Sequence, residues 1–407
     1  MDSGEYIKMV FDKDKCCGCS ACFSVCPVQA IKWTKNKEGF SEPEIIEDKC
    51  IDCGLCRKVC PYEEDHVGKD ADPEVYAAVH KDKKVLLKSS SGGAFTALSD
   101  AVLRQGGVVY GVEFDREYGL VYGRASDKKR RSRFRGSKYV QCDPGIVYRQ
   151  VEKDLKDGKA VMFTGTPCYV SGLKKFLSVR KADTEKLFLC DNICHGAASP
   201  MVWKEYLRYI RSNVLKGKTV KMLSMRSKKT KWQKQYMDCI TEYGDESHLL
   251  NKKASWNKLY LTTYATRKSC FSCPFTGYER VGDITVADYW NIENAKLYID
   301  YKSGVSLLLI NTAKGKEWFA QCEKDLIYEK SDKKSCWQIH LERQQPISSK
   351  RSVFWEDFRK DSQKAIARYS KGSLFNVISR GITPILRKLG LYTFAVNLFG
   401  RVKGSGK

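Results

Sequence analysis

CCGCSACFSVCP, residues 16–27, is answered 34 residues later by CIDCGLCRKVCP, residues 50–61. At that offset Cys16, Cys19, Cys22, Cys26 and Pro27 fall on Cys50, Cys53, Cys56, Cys60 and Pro61, so C-x2-C-x2-C-x3-C-P is written twice. A two-residue gap turns the backbone enough to aim each successive sulfur inward. Three thiolates of one tight loop can therefore converge on one iron–sulfur cube, while the fourth points away. Zinc draws four ligands as separated pairs, and disulfides at this density belong to secreted miniproteins. Neither suits three closely spaced thiolates followed by a fourth.

In two-cluster ferredoxins the outlying cysteine of each run ligates the other cluster. That rule assigns Cys16, Cys19, Cys22 and Cys60 to one [4Fe-4S] centre and Cys50, Cys53, Cys56 and Cys26 to a second. Cys17 is left over and reads as a small buried side chain.

The remaining composition agrees with a metal-rich protein of a reducing compartment. Eighteen cysteines in 407 residues are heavy use for an ordinary enzyme and reasonable as metal ligands. The start, MDSGEYIKMVFDKDK, has no apolar h-region, and no run of 18 apolar residues follows, so a cytoplasmic location is expected. A formal charge of +24 falls to about +18 if three clusters each bring about −2. Such a basic chain suits an anionic partner: a dinucleotide, a phosphorylated substrate, an acidic electron donor or a lipid surface. Nucleic acid is the weaker option and is not expected as a partner, because no helix-turn-helix, RNA-binding or zinc-finger pattern is present.

Down the chain, Tyr62 to Pro73 reads as a linker, and a strand is expected at 75–79. SSSGGAFTALSDAVLRQGG, residues 89–107, then opens a helix on a Ser/Gly loop. That loop is either a flavin or other phosphate cradle, or a plain Ser N-cap. KKRRSRFRGSKYV, residues 128–140, carries seven basic residues from Lys128 to Lys138 and reads first as a solvated loop. Its Arg135-Gly136-Ser137-Lys138-Tyr139 corner could also hold a phosphate and stack a ring. A strand at 160–164 leads through Gly165-Thr166-Pro167 to Cys168, whose place at a helix N-terminus predicts a depressed pKa. LFLCDNICHG supplies Cys190 and Cys194, and RKSCFSCPFTGYERVGDITVADYW supplies Cys270 and Cys273. A third metal site from these segments stays open on spacing alone, with Cys190 as a substitute ligand. His195 could orient a cluster, donate a proton or simply be hydrogen-bonded. Cys142, Cys239, Cys322 and Cys336 read as structural. The tail after Pro346 reads as helical and basic, and packing on the body is favoured over contact with an anionic membrane surface or a partner.

Taken in order, SSSGG-A-F-T, GSKYVQ, TGTPC, CHG and CxxCPF followed by GDITVADYW resemble the beta subunit family of coenzyme F420 hydrogenases and dehydrogenases, with the plant hydroxymethyl chlorophyll a reductases as relatives. The resemblance covers roughly residues 75 to 350, behind what resembles a fused bacterial two-cluster ferredoxin. It implies FAD and a third [4Fe-4S] cluster on Cys168, Cys194, Cys270 and Cys273. It also implies a flavin site that includes Ser90, Ser91, Gly92, Gly93 and Thr96, with Lys138, Thr164, Gly165 and Thr166 in the same pocket. The chain departs from the pattern at Cys142, where a small hydroxyl residue is expected, and in its long basic tail.

The expected architecture is mixed α/β. A ferredoxin domain (1–66) precedes a flavin-loop domain (75–183), a third-cluster and substrate domain (184–345), and a helical tail (346–407). The expected function is that of an iron–sulfur flavoprotein oxidoreductase passing electrons between ferredoxin-type clusters and FAD. A soluble ferredoxin or partner subunit would exchange electrons with it. Its substrate would be coenzyme F420 or another anionic small molecule, since relatives with the fused ferredoxin resemble a bacterial branch linked to surface-polysaccharide genes. The competing account is a non-catalytic electron-transfer subunit; no catalytic residue can be named from the sequence.

Overall fold

The computed structural model describes residues 12–62, 72–234 and 236–371. Most of the expected linker, and the tail from residue 372 onward, lie outside the described residues.

Between the two cysteine runs, β1 (Ile31–Lys35) and β2 (Ser41–Ile45) pair antiparallel. The chain then enters an eight-stranded sheet through β3 (Glu74–His80), β4 (Val108–Phe114), β5 (Leu120–Ala125), β6 (Val161–Gly165) and β7 (Leu187–Asn192). A separate antiparallel sheet follows, made of β8 (Val220–Ser227), β9 (Tyr236–Thr241) and β10 (Gly244–Asp245). The large sheet is completed by β11 (Ile284–Asp288), β12 (Ser306–Ile310) and β13 (Leu326–Ser331). Its order is β13-β3-β12-β11-β7-β6-β4-β5. The four inner strands β11, β7, β6 and β4 are mutually parallel, and the remaining pairings are antiparallel. Strands from both sides of residue 184 therefore share one sheet.

Parallel strands covered on both faces read as near-continuous apolar runs, and Val161-Met162-Phe163 of β6 is fully buried. The helix that follows it, Pro167–Val179, opens on proline at its first turn. That helix is where the cysteine-rich segment joins the body. Ala21, Val25 and Val59 share one apolar core with Val170, Leu173 and Leu177. Lys175 Nζ donates to the Cys60 carbonyl at 3.0 Å, and Arg149 Nε to the Ser24 carbonyl at 2.9 Å.

Two segments differ from expectation. The basic run is not a free solvated loop: Lys128–Arg131 form a short helix, with Lys128 and Arg131 on Asp100 and Arg130 and Arg133 on Glu113. Its cations are matched by two carboxylates distant in sequence. The described part of the tail is two helices, Arg351–Lys360 and Ser362–Tyr369. Phe354, Trp355, Phe358, Ala365 and Ile366 pack into the core beside Val202, Trp203 and Tyr206 of helix Pro200–Tyr209. No helix among the described residues is long and apolar enough to cross a membrane.

Candidate redox site

The cysteines of the two runs sort into two sets in space. Cys22 faces Cys16, Cys60 and, across the gap between the sets, Cys56. Cys19 faces Cys22 and Cys60 and is hydrogen-bonded by Cys17, which lowers its pKa, while burial and the like neighbours outweigh that bond and raise the pKa values of Cys19 and Cys22. Cys26, Cys50, Cys53 and Cys56 line one small cavity together with Val28, Ile31, Ile45, Ile51 and Leu55. The fourth cysteine of each run thus lies near the first three of the other. Gly18, at φ +70, makes the first loop possible, because a Cβ there would stand 2.5 Å from Gln141 Nε2. Among the described residues no group of His, Cys, Asp or Glu is gathered as a single metal ion would need.

A third set assembles at the carboxyl ends of the parallel strands. Cys168 begins the helix after β6, Cys194 follows β7, and Cys270 and Cys273 sit on and just after the turn Lys268–Ser272. Cys194 faces Cys270, Cys168 and Cys273, and Cys270 and Cys273 each face Cys168. Cys190 is excluded from the set. It is fully buried within β7, where Thr164 hydrogen-bonds it. Backbone N–H groups already point at two of the sulfurs: Gly196 to Cys194 at 3.3 Å and Ala197 to Cys270 at 3.4 Å. Such bonds stabilise thiolate charge and tune a cluster's potential.

The expected depressed pKa at Cys168 is not found. With only protein groups around it, a hydrogen bond with Cys17 and burial push it well above 9. Cys17, read as a bystander, reaches Cys19 on one side and Cys168 on the other. It therefore stands between the first and third sets.

The third set opens on a cavity of about 700 Å³, within the range of cofactor sites. Of the expected flavin residues, Ser90, Ser91, Gly93, Lys138, Thr164, Gly165 and Thr166 line it; Gly92 and Thr96 do not. Gly92 is pressed against strand backbone, where a Cβ would lie 2.1 Å from the Ala78 carbonyl. Thr96 is buried at 2% exposure within the helix Ala94–Arg104. Lys138 spends its ammonium on the Phe134, Arg135 and Gly136 carbonyls at 3.1–3.2 Å, so it shapes the loop. Burial lowers its pKa to about 8. The neighbouring Arg135, half-buried and on the cavity wall, is the freer cation.

Several wall residues carried no signal in the sequence. Arg226 of β8 is buried, donates to Asp288 Oδ2 at 2.9 Å and to Tyr139 Oη at 3.0 Å, and lies over the Trp290 ring. Burial lowers the pKa of His195 to about 4 and that of His340 to about 2; their rings meet edge to face at 4.1 Å. The end of GDITVADYW could have suggested Asp288 and Trp290, but nothing in the sequence marks Arg226 or His340.

Comparison with known proteins matches two stretches of the chain. Residues 15–63 match the 4Fe-4S dicluster domain, and residues 158–335 match the C terminus of the coenzyme F420 hydrogenase/dehydrogenase beta subunit. No curated protein matches. Among solved structures, a chain of the F420-reducing [NiFe] hydrogenase complex from Methanosarcina barkeri is similar, at 17% identity and a TM-score of 0.45. The match covers 75% of this chain and 93% of that one. The chain therefore joins a 4Fe-4S dicluster domain to a domain that matches the C terminus of coenzyme F420 hydrogenase/dehydrogenase beta subunits, and is an iron–sulfur electron-transfer protein related to those subunits.

Proposed function

We propose that the chain is an iron–sulfur flavoenzyme that reduces, or reversibly oxidises, an anionic organic substrate. In this reading Cys168, Cys194, Cys270 and Cys273 hold a third [4Fe-4S] cluster and the adjoining cavity holds FAD. The observation that carries it is a shared wall: the third cysteine set and Ser90, Ser91 and Gly93 line the same space of about 700 Å³. Clusters supply single electrons, and a flavin joins them to two-electron chemistry.

The chain's own residues bind, orient and shield. Backbone N–H groups at the start of helix Ala94–Arg104, with Arg135 nearby, suit a diphosphate. Phe95, Tyr122, Phe134 and Tyr139 give the same cavity aromatic faces for a planar ring. Arg226, neutralised by Asp288 and braced by Tyr139, fixes the position of Trp290 on the wall. His195 and His340 are neutral at working pH and serve as hydrogen-bonding groups. Coenzyme F420 and a sugar-linked anion of surface-polysaccharide synthesis are the two substrate classes that the basic chain suits.

Anaerobic purification with iron, sulfide and flavin counts tests this reading. About twelve iron atoms and one FAD per chain are expected; about eight irons without flavin would remove it. Turnover of coenzyme F420 against that of a nucleotide sugar, with dithionite as reductant, then decides the substrate class.

A further inference from the structure

Buried arginines in this protein follow a rule. Arg131, Arg226, Arg280 and Arg351 each meet a carboxylate, respectively Asp100, Asp288, Asp191 and Glu38. Arg267 breaks it. Its residue is 3% exposed, yet among the described residues it forms no ion pair. Its guanidinium donates to the Cys16 carbonyl, Gln141 Oε1 at 3.0 Å and the Ser41 carbonyl at 3.0 Å, and reaches the Cys16 side chain, with the Phe40 ring 5.2 Å away. Glu42, a buried carboxylate that acts on Cys16, accepts from Asn36 and forms no ion pair with Arg267. A buried cation without a counter-charge costs several kcal/mol, so something anionic must stand beside it.

The surroundings identify that anion. Cys16 of the first set and Cys270 of the third both face Arg267. The Arg267 carbonyl accepts from the Cys270 N–H at 3.1 Å, and Gln141, which the guanidinium grips, donates to the Cys17 carbonyl at 2.9 Å. The two sets are also pressed together by helix Pro167–Val179. It begins beside Cys168 and, one turn later, brings Gly172 so near Cys19 that a Cβ would lie 2.9 Å from its sulfur.

We propose that Arg267 is the shared counter-charge of the first and third clusters, a positioning residue that ties their loops together and raises both reduction potentials. The inference rests on the reading that the third cysteine set carries a cluster. Each cluster takes up one electron on reduction and becomes more negative, and a buried cation stabilises that reduced form. The second set, which does not face Arg267, is outside its influence.

The test is a potentiometric titration of anaerobically purified full-length protein, followed by electron paramagnetic resonance. In Arg267→Gln, two of the three cluster signals should become harder to reduce. The reduced-to-oxidised ratio at fixed potential should fall at least tenfold, which is about 59 mV for a one-electron couple, and the third signal should stay in place. Arg267→Lys should recover part of the shift. Should Arg267→Gln not assemble, Gln141→Glu sets a carboxylate against the same guanidinium and should shift the same two signals downward. Twelve irons with all potentials unmoved, or with only one moved, would overturn the proposal. Eight irons in the unaltered protein would instead defeat the third-cluster reading, and with it the sharing.

Discussion

The two cysteine runs share one spelling and live in different surroundings. Cys17, Cys19 and Cys22 of the first are buried against the body in a core with Val170, Leu173 and Leu177. In the second, Cys53 is exposed and its apolar neighbours Val28 and Ile51 stand 38% and 61% open to solvent. Ligand spacing therefore fixes what is bound, while packing decides which centre meets a partner and which meets the interior. In the proposed wire, the second cluster faces outward, the first lies beneath it, and the third opens on the cavity.

Leu173→Ala, in the core under the first run, should cost about 2–5 kcal/mol in denaturant unfolding of the anaerobic protein. An effect below about 1 kcal/mol would show that the two runs are equally independent of the body. The buried half also carries a pH signature. Lys138 has a folded pKa near 8, below the 10.5 of an exposed lysine, so its burial is penalised while it is charged. That penalty is complete below pH 8 and is relieved as pH rises from 8 to 10.5, because the unfolded chain then holds a proton that the folded one has released. Relative to Lys138→Met, the unaltered protein should gain about 3 kcal/mol across that window; parallel stability profiles would refute it. Gly172→Ala should cost about 1–3 kcal/mol by wedging the helix off Cys19, read as a lower melting temperature. At the outer run, Ile51→Ala should change stability by less than about 0.5 kcal/mol. A loss comparable to that of Leu173→Ala would erase the contrast.

How much was legible in the sequence follows from how local each feature is. The first two cysteine sets could be read because each places three ligands within seven residues, Cys16 to Cys22 and Cys50 to Cys56. The third could not be derived from spacing, since Cys168, Cys194 and Cys270 meet only through the parallel order of β6, β7 and β11. The family resemblance proposed it, and the fold brings those cysteines together. Strands β3, β4, β6, β7 and β12 were marked by continuous apolar runs. By contrast β8, with Lys221, Ser224 and Arg226 among its residues, lacks that signature, and with it Arg226 went unread. The family resemblance placed Gly92 and Thr96 with the flavin residues, but the turn into the helix sends only their neighbours to the cavity. At Cys168, a hydrogen bond with Cys17 and burial raise the thiol that its helix position was expected to depress.

The hairpin β1–β2 has a further consequence. At its tip Glu38 pairs with Arg351, its carbonyl accepts from Ser199 Oγ at 2.5 Å, and Gly39 sits so tightly on Met201 that a Cβ there would lie 2.2 Å away. Helix Pro200–Tyr209 and the far end of the chain thus grip the cysteine-rich segment from the side away from helix Pro167–Val179. A module clasped on two flanks has no room to swing between donor and acceptor. The distances an electron must cross are set once, when the polypeptide folds, and a chain cut ahead of Arg351 would give up one of the two clasps.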